Sequence, residues 1–509
     1  MQPLNLENDA TWKRRFRTPT IAWSRIAGRN PARGLVCSNR DGVYQLHAWD
    51  VPTGDMRQVT FKPAGVIFGG ISPDGSTIYY HDDEQGNEIG HYVRFPFESD
   101  ANSAEDISPD MPSYASFSIS QSLDGSTLGF LAAGPGGFEM YTMPVSDDGS
   151  IGERRPLYTS PALSFGPLLS FDGDYAVIAT TERSHSTDRA LMAFAISHDA
   201  PGEPLILEDA DGSITPVSFA PVSGDARLLA TTDVSGFSRP VIWDVRSGDR
   251  TDIPLSDIAG DVEAFGWSND GQRILLSNLH QAEYQLYVYD LERSALERLD
   301  HPSGTFFSAY YVPGADDVIY ANWQDATHPS QVVALDARSG QTRGTVLAAG
   351  TPPASRPWRS VTFPSSGGAT IQAWLAVPEG EGPFPTILNV HGGPTAVQTE
   401  TFSPAAQAWL DHGFAWMSVN YRGSTTFGRD FERAILGNLG DVEVDDMAAA
   451  VKWLVDNGVA RKDAILVSGG SYGGYLTLQS MGRRPDLWAG GMGIVAIADW
   501  SLMYEDQAE

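Results

Sequence analysis

Through the first two thirds of the chain one short pattern keeps returning, and it narrows the fold more than anything else in the sequence. ISPDGSTIYY (71–80), QSLDGSTLGF (121–130), LSFDGDYAVI (169–178), APVSGDARLL (220–229), WSNDGQRILL (267–276) and YVPGADDVIY (311–320) each set a glycine turn, usually beside Asp, against a run rich in Ile, Val, Leu and Tyr. The turn glycines Gly75, Gly125, Gly173, Gly224, Gly271 and Gly314 lie 43 to 51 residues apart. Near-alternating polarity around such turns predicts β-hairpins. A second tight turn, Asp-x-x-(Thr/Ser)-Gly, begins at Asp50, Asp244 and Asp336 and closes a further hairpin. Short strands, about four per unit at this period, predict the blades of a β-propeller. Counting a partial unit from about Ile21 to Phe61, the expectation is seven blades over residues 1–350, with a β-sandwich array as the alternative.

From about residue 365 strands alternate with helices. Apolar runs at 385–390, 414–420, 464–468 and 493–498 read as strands, and 403–413, 444–457 and 474–481 as helices. Ser403-Pro404 starts the first helix and Gly413 ends it, while an acidic first turn and Gly458 frame the second. Such alternation predicts a mostly parallel sheet covered on both faces. The proline-rich run TPPASRPW lies in an expected linker at 351–364, which leaves 365–509 as the second domain.

That second domain carries chemistry. Gly469-Gly470-Ser471-Tyr472-Gly473 stands between a strand and a helix, the setting of a nucleophile elbow. The serine needs a strained turn, and side chains two positions either side would strike the flanking strand and helix. Ser471 is therefore the expected nucleophile. The N–H of Tyr472 is one expected oxyanion donor, and the loop NVHGGPT (389–395) offers the other through Gly392 or Gly393. His391, on that loop, is expected to steady it by hydrogen bonds and not to act as the base.

HGGP, NYRGSTTFGRDF (420–431) and GGSYGGY, set behind a propeller and a linker, resemble the prolyl oligopeptidase family of serine peptidases, and NYRGS with SYGGYLT resembles its acylaminoacyl-peptidase branch. The resemblance implies an α/β-hydrolase domain and cleavage of short peptides, with the propeller excluding folded proteins. Carried over, Ser471 matches the nucleophile, and Tyr472 and Gly393 match the oxyanion positions. Arg422 is either a substrate contact or a salt bridge holding its loop. Trp500, Met503 and Tyr504 are candidates for an apolar specificity pocket, with core packing as the other reading. Glu88 resembles a propeller glutamate facing the interdomain cavity, with a solvated turn as the alternative. No metal or organic cofactor is expected. Two rival readings stand: a carboxylesterase-type hydrolase, and a propeller binding scaffold with a vestigial hydrolase domain.

The triad order of such hydrolases is Ser, then an acid, then His. No histidine follows Ser471, and Asp499 sits on the strand next after the elbow, too early to be the acid. The α/β domain is thus expected to be C-terminally incomplete and the 509-residue chain a poor catalyst by itself. A pseudoenzyme, or an unusual use of an earlier histidine, are the alternatives.

The formal net charge of −30 argues against nucleic acid or an anionic membrane as partner. Short peptides are the expected ligands, and homo-oligomerisation is left open. A single cysteine, Cys37, and an N-terminus without an apolar core point to a cytoplasmic protein without disulfides.

Overall fold

The structure is a computed structural model, and it describes residues 4–184, 187–196 and 202–505. Between Ile21 and Leu347 it shows 29 strands in six antiparallel sheets. Five of these have four strands each, at residues 21–58, 164–207, 214–252, 261–298 and 305–347, and form separate propeller blades. The repeats around Gly75 and Gly125 share one nine-stranded sheet over residues 69–160. They are joined through Tyr114–Ala115, which pairs with both Ile89–Pro96 and Thr127–Gly134.

The recurring turn has a local cause. The Asp74 carboxylate accepts from Ser72 Oγ at 2.5 Å and from the Ser76 N–H at 3.0 Å, and Gly75 takes φ +71°. Asp124 repeats this with Ser122 and Ser126. The side chain thereby replaces backbone partners that a tight turn cannot supply. The last blade meets the first, since the Ile21 N–H donates to the Ser330 carbonyl and Ser24 Oγ to Asn322 Oδ1.

The second half is built on a six-stranded sheet. Its order is Arg359–Pro364, Thr370–Ala376, Ala415–Asn420, Phe384–Val390, Ala460–Gly470 and Gly490–Ile494. The last four are mutually parallel. The first strand falls inside the stretch 351–364. The strand expected at 493–498 is instead Gly490–Ile494: Val495 turns to φ +42° and Ala496 packs over Gly474, so the chain leaves the sheet there. Helices cover both faces at Pro404–Asp411, Val442–Asp456 and Tyr472–Arg483, with the Ser403 hydroxyl capping the first.

The halves touch along one side of the propeller. Thr305 Oγ1 donates to the Glu400 carbonyl at 2.7 Å, Gln407 Nε2 to the Ala326 carbonyl at 3.1 Å, and Arg429 Nη2 to the Asp233 carbonyl at 2.7 Å. Thr305 begins the first strand of its blade, and the Asp233 and Ala326 turns join second strands to third. The starts of the first strands therefore face the α/β half. The N-terminal helix Thr11–Phe16 reaches back to the same half, where buried Arg15 donates twice to Asp411 and once to the Ala354 carbonyl. Among the described residues no helix is long and apolar enough to cross a membrane.

Candidate active site

Ser471 stands at the end of the strand Ala460–Gly470 and immediately before the helix Tyr472–Arg483. Its φ of +55° is a conformation that non-glycine residues adopt only under constraint. The constraint is visible on both sides. A Cβ on Gly473 would lie 2.2 Å from the Val390 carbonyl oxygen, and one on Gly469 would lie 2.5 Å from the Gly473 backbone. Only glycine permits so tight a crossing of strand and helix. The result is an exposed serine at a helix N-terminus, whose first-turn N–H groups have no intrahelical partners.

The His-Gly-Gly-Pro loop lies beside it. A Cβ on Gly392 would sit 3.4 Å from Ser471 Cβ and 3.9 Å from its Oγ. Gly393 follows at φ +124°. His391 holds this loop, with Nδ1 2.7 Å from the Gly392 carbonyl oxygen and Nε2 2.8 Å from the Ser424 hydroxyl. Its ring stacks on Tyr421 at 4.4 Å, and burial pulls its pKa down to about 4.

Behind the serine is a polar network that sequence reasoning missed. Glu443, fully buried, accepts from the Tyr472 hydroxyl at 2.5 Å and from the N–H groups of Gly440 and Asp441. Desolvation, and then the bond to Glu443, push the Tyr472 phenol well above its usual range. Three residues on, buried Asp446 accepts from the backbone N–H, Nε and Nη2 of Arg422 and from Ser365 Oγ. Desolvation raises the Asp446 carboxyl and Arg422 opposes it. The signal for both lay in VEVDDMAAAVKWLV, where Glu443 and Asp446 fall on the same helix face as Met447 and Ala450.

Arg422 itself is buried, and its recorded bonds go to Asp446, Ser366 and the Val442 carbonyl. That is the loop-holding arrangement. Trp500, Met503 and Tyr504 lie on the short helix Trp500–Glu505, not on a strand, and are exposed. Trp500 still packs its ring 6.1 Å from Tyr472 and 5.4 Å from Tyr475. Asp499 caps that helix, accepting from the Ser501 and Leu502 N–H groups. Glu88 is an exposed residue at φ +63° in the turn from Thr77–Asp83 to Ile89–Pro96, a turn of the kind that faces the α/β half.

Among the described residues no histidine or carboxylate hydrogen-bonds to Ser471 Oγ. His412, the other histidine of this half, bonds the Ala408 carbonyl inside its own helix turn.

Residues 400–509 match the sequence profile of the prolyl oligopeptidase family. That match falls within the α/β half of the chain. Among its relatives, dipeptidyl aminopeptidase BIII of Pseudoxanthomonas mexicana is 38% identical over 144 residues, 26% of this chain and 21% of that protein. Acylamino-acid-releasing enzyme 1 of Oryza sativa subsp. japonica is 32% identical over 119 residues, 23% of this chain and 15% of that protein. The chain thus aligns with about a fifth of such relatives' length. The solved fold matches more widely. A puromycin hydrolase superposes with a TM-score of 0.79 at 19% identity, over 98% of this chain and 80% of the other. A puromycin-hydrolyzing peptidase of Mycobacterium tuberculosis gives 0.77 at 18%, over 97% and 80%.

Proposed function

We propose that this protein is a member of the prolyl oligopeptidase family and a serine peptidase acting on short peptides, of the acylaminoacyl-peptidase or oligopeptidase type. The observation that carries this reading is Ser471 at φ +55° with the Gly392–Gly393 loop so close that a Cβ on Gly392 would lie 3.4 Å from Ser471 Cβ. Ser471 Oγ attacks the peptide carbonyl, forming an acyl-enzyme that water later cleaves. The Tyr472 and Gly393 N–H groups hold the oxyanion, each such donor being worth about 3 kcal/mol.

The proton acceptor is a histidine other than the eight described ones, none of which hydrogen-bonds to Ser471 Oγ. Trp500, Met503 and Tyr504 flank an apolar subsite beside Tyr472, and Glu88 faces the cavity between the halves. Counting the nine-stranded sheet as two blades makes the propeller seven-bladed, with residues 1–350 as its domain, 351–364 as linker and 365–509 as the hydrolase part.

The test compares a peptide p-nitroanilide with p-nitrophenyl acetate, using the wild-type protein and Ser471→Ala. Serine-dependent release from the anilide is expected. Serine-dependent turnover of the ester alone makes the protein an esterase.

A further inference from the structure

The inner wall of the propeller holds a cavity that the hydrolytic chemistry leaves unused. It measures about 540 Å³ and lies against the first strands of the sheets at residues 21–58 and 69–160. Small-ligand pockets span about 300–1,000 Å³. Its lining is aromatic and apolar, with Trp23, Phe68, Phe117 and Ile119 prominent. Phe68 is 61% exposed and Phe117 43%, so the rings face the cavity and not a core. The recess exists because an inner strand here reads Gly69-Gly70-Ile71. A Cβ on Gly70 would meet no atom within 4 Å.

One charged residue lines this cavity, and it is Arg25. In a chain with 64 acidic and 34 basic residues, a cavity whose sole charge is positive runs against the composition. Among the described residues the Arg25 side chain makes no hydrogen bond and no ion pair. Its backbone is fixed opposite Leu35 in the strand ladder, so the side chain is presented at a set height in the wall. Arg25 is exposed to this cavity, and although the protein around it lowers the guanidinium pKa, an arginine keeps its charge. A guanidinium without a protein partner, set against an apolar wall, pairs best with a carboxylate, through two parallel hydrogen bonds. A phosphate dianion would call for a second cation, and the lining has none.

We propose that this recess binds a peptide carboxylate, with Arg25 taking the carboxylate and Trp23, Phe68 and Phe117 taking an adjoining apolar side chain. The choice of a peptide rests on the reading of the protein as a peptidase; the carboxylate preference rests on Arg25 alone.

Calorimetric titration of the full 509-residue protein tests this with three tripeptides: Phe-Ala-Phe, its C-terminal amide, and Phe-Asp-Phe amide. The free acid is expected to bind about tenfold or more tighter than the Phe-Ala-Phe amide. Arg25→Gln erases that gap, and Gly70→Leu, which fills the recess, weakens both peptides. Tight binding of Phe-Asp-Phe amide assigns the carboxylate to a side chain instead of the terminus. Equal binding of acid and amide to wild type, or a gap that survives Arg25→Gln in a protein with wild-type melting, overturns the proposal. Phosphonylation of Ser471 is followed on the same samples. Normal labelling with no carboxylate preference counts against the recess only, whereas lost wild-type labelling counts against the hydrolytic reading.

Discussion

Acidic side chains do different work in the two halves. In the propeller the repeated turns use them within a few residues of their own position: Asp74 holds Ser72 and Ser76, and Asp336 accepts from the N–H groups of Arg338 and Ser339. The propeller pair Arg154–Asp110 does join distant segments, but its carboxylate side chain is 70% exposed. In the α/β half, Glu443 and Asp446 are fully buried and bridge segments far apart in sequence, from Ser365 and Arg422 to Tyr472. Local carboxylates shape turns that any blade repeats. Buried ones couple the nucleophile elbow to the loops beside it, and there a lost partner leaves a charge or donor stranded without solvent.

The sharpest way to break this contrast is Asp446→Ala, which leaves the Arg422 guanidinium buried without its partner. Chemical denaturation is expected to show a loss of about 3–5 kcal/mol in the α/β half. A loss no greater than that of a surface substitution would erase the distinction between the halves.

Acid titration of stability gives the next largest effect. The folded His391 pKa of about 4 lies below the unfolded value near 6.5. Above pH 6.5 both states are neutral and nothing is lost. As the pH falls from 6.5 to 4 the unfolded chain takes up a proton that the folded one refuses, so stability drops by up to about 3 kcal/mol. His391→Gln is expected to flatten this part of the profile, and an unchanged slope would remove His391 as its cause.

Tyr472→Phe removes the hydroxyl that Glu443 accepts but leaves the carboxylate its two backbone N–H donors. A cost of about 1–2 kcal/mol is expected in the same unfolding assay. At the bottom of the scale, Asp110→Asn in the exposed propeller pair is expected to leave the melting temperature unchanged.

The same difference in range decides what could be read from the sequence. Turn chemistry is written in adjacent residues, so the repeated units, Gly75 and Gly125 among them, were legible, as was the strained elbow around Ser471. The pairing of Tyr114–Ala115 with two strands at once was not, because two residues carry no periodicity, and so the sharing of one sheet by two repeats did not show. The strand after the elbow was placed three residues late because its apolar run continues past Ile494 into a turn over Gly474. Asp446 reads as part of a favourable acidic start to a helix at 444–457, and Glu443 falls just before it. Their partners, Arg422 and Tyr472, lie 24 and 29 residues away, and only folding shows which face is dry.

The claim on which the rest depends is that the fold makes Ser471 a nucleophile. It is tested most directly by treating the protein with a fluorophosphonate and locating the adduct by mass spectrometry, native and denatured, beside Ser471→Ala. The predicted result is a single adduct on Ser471 in the native protein, absent from the denatured protein and from Ser471→Ala. An adduct spread over other serines, or equal labelling of Ser471 after denaturation, would contradict it.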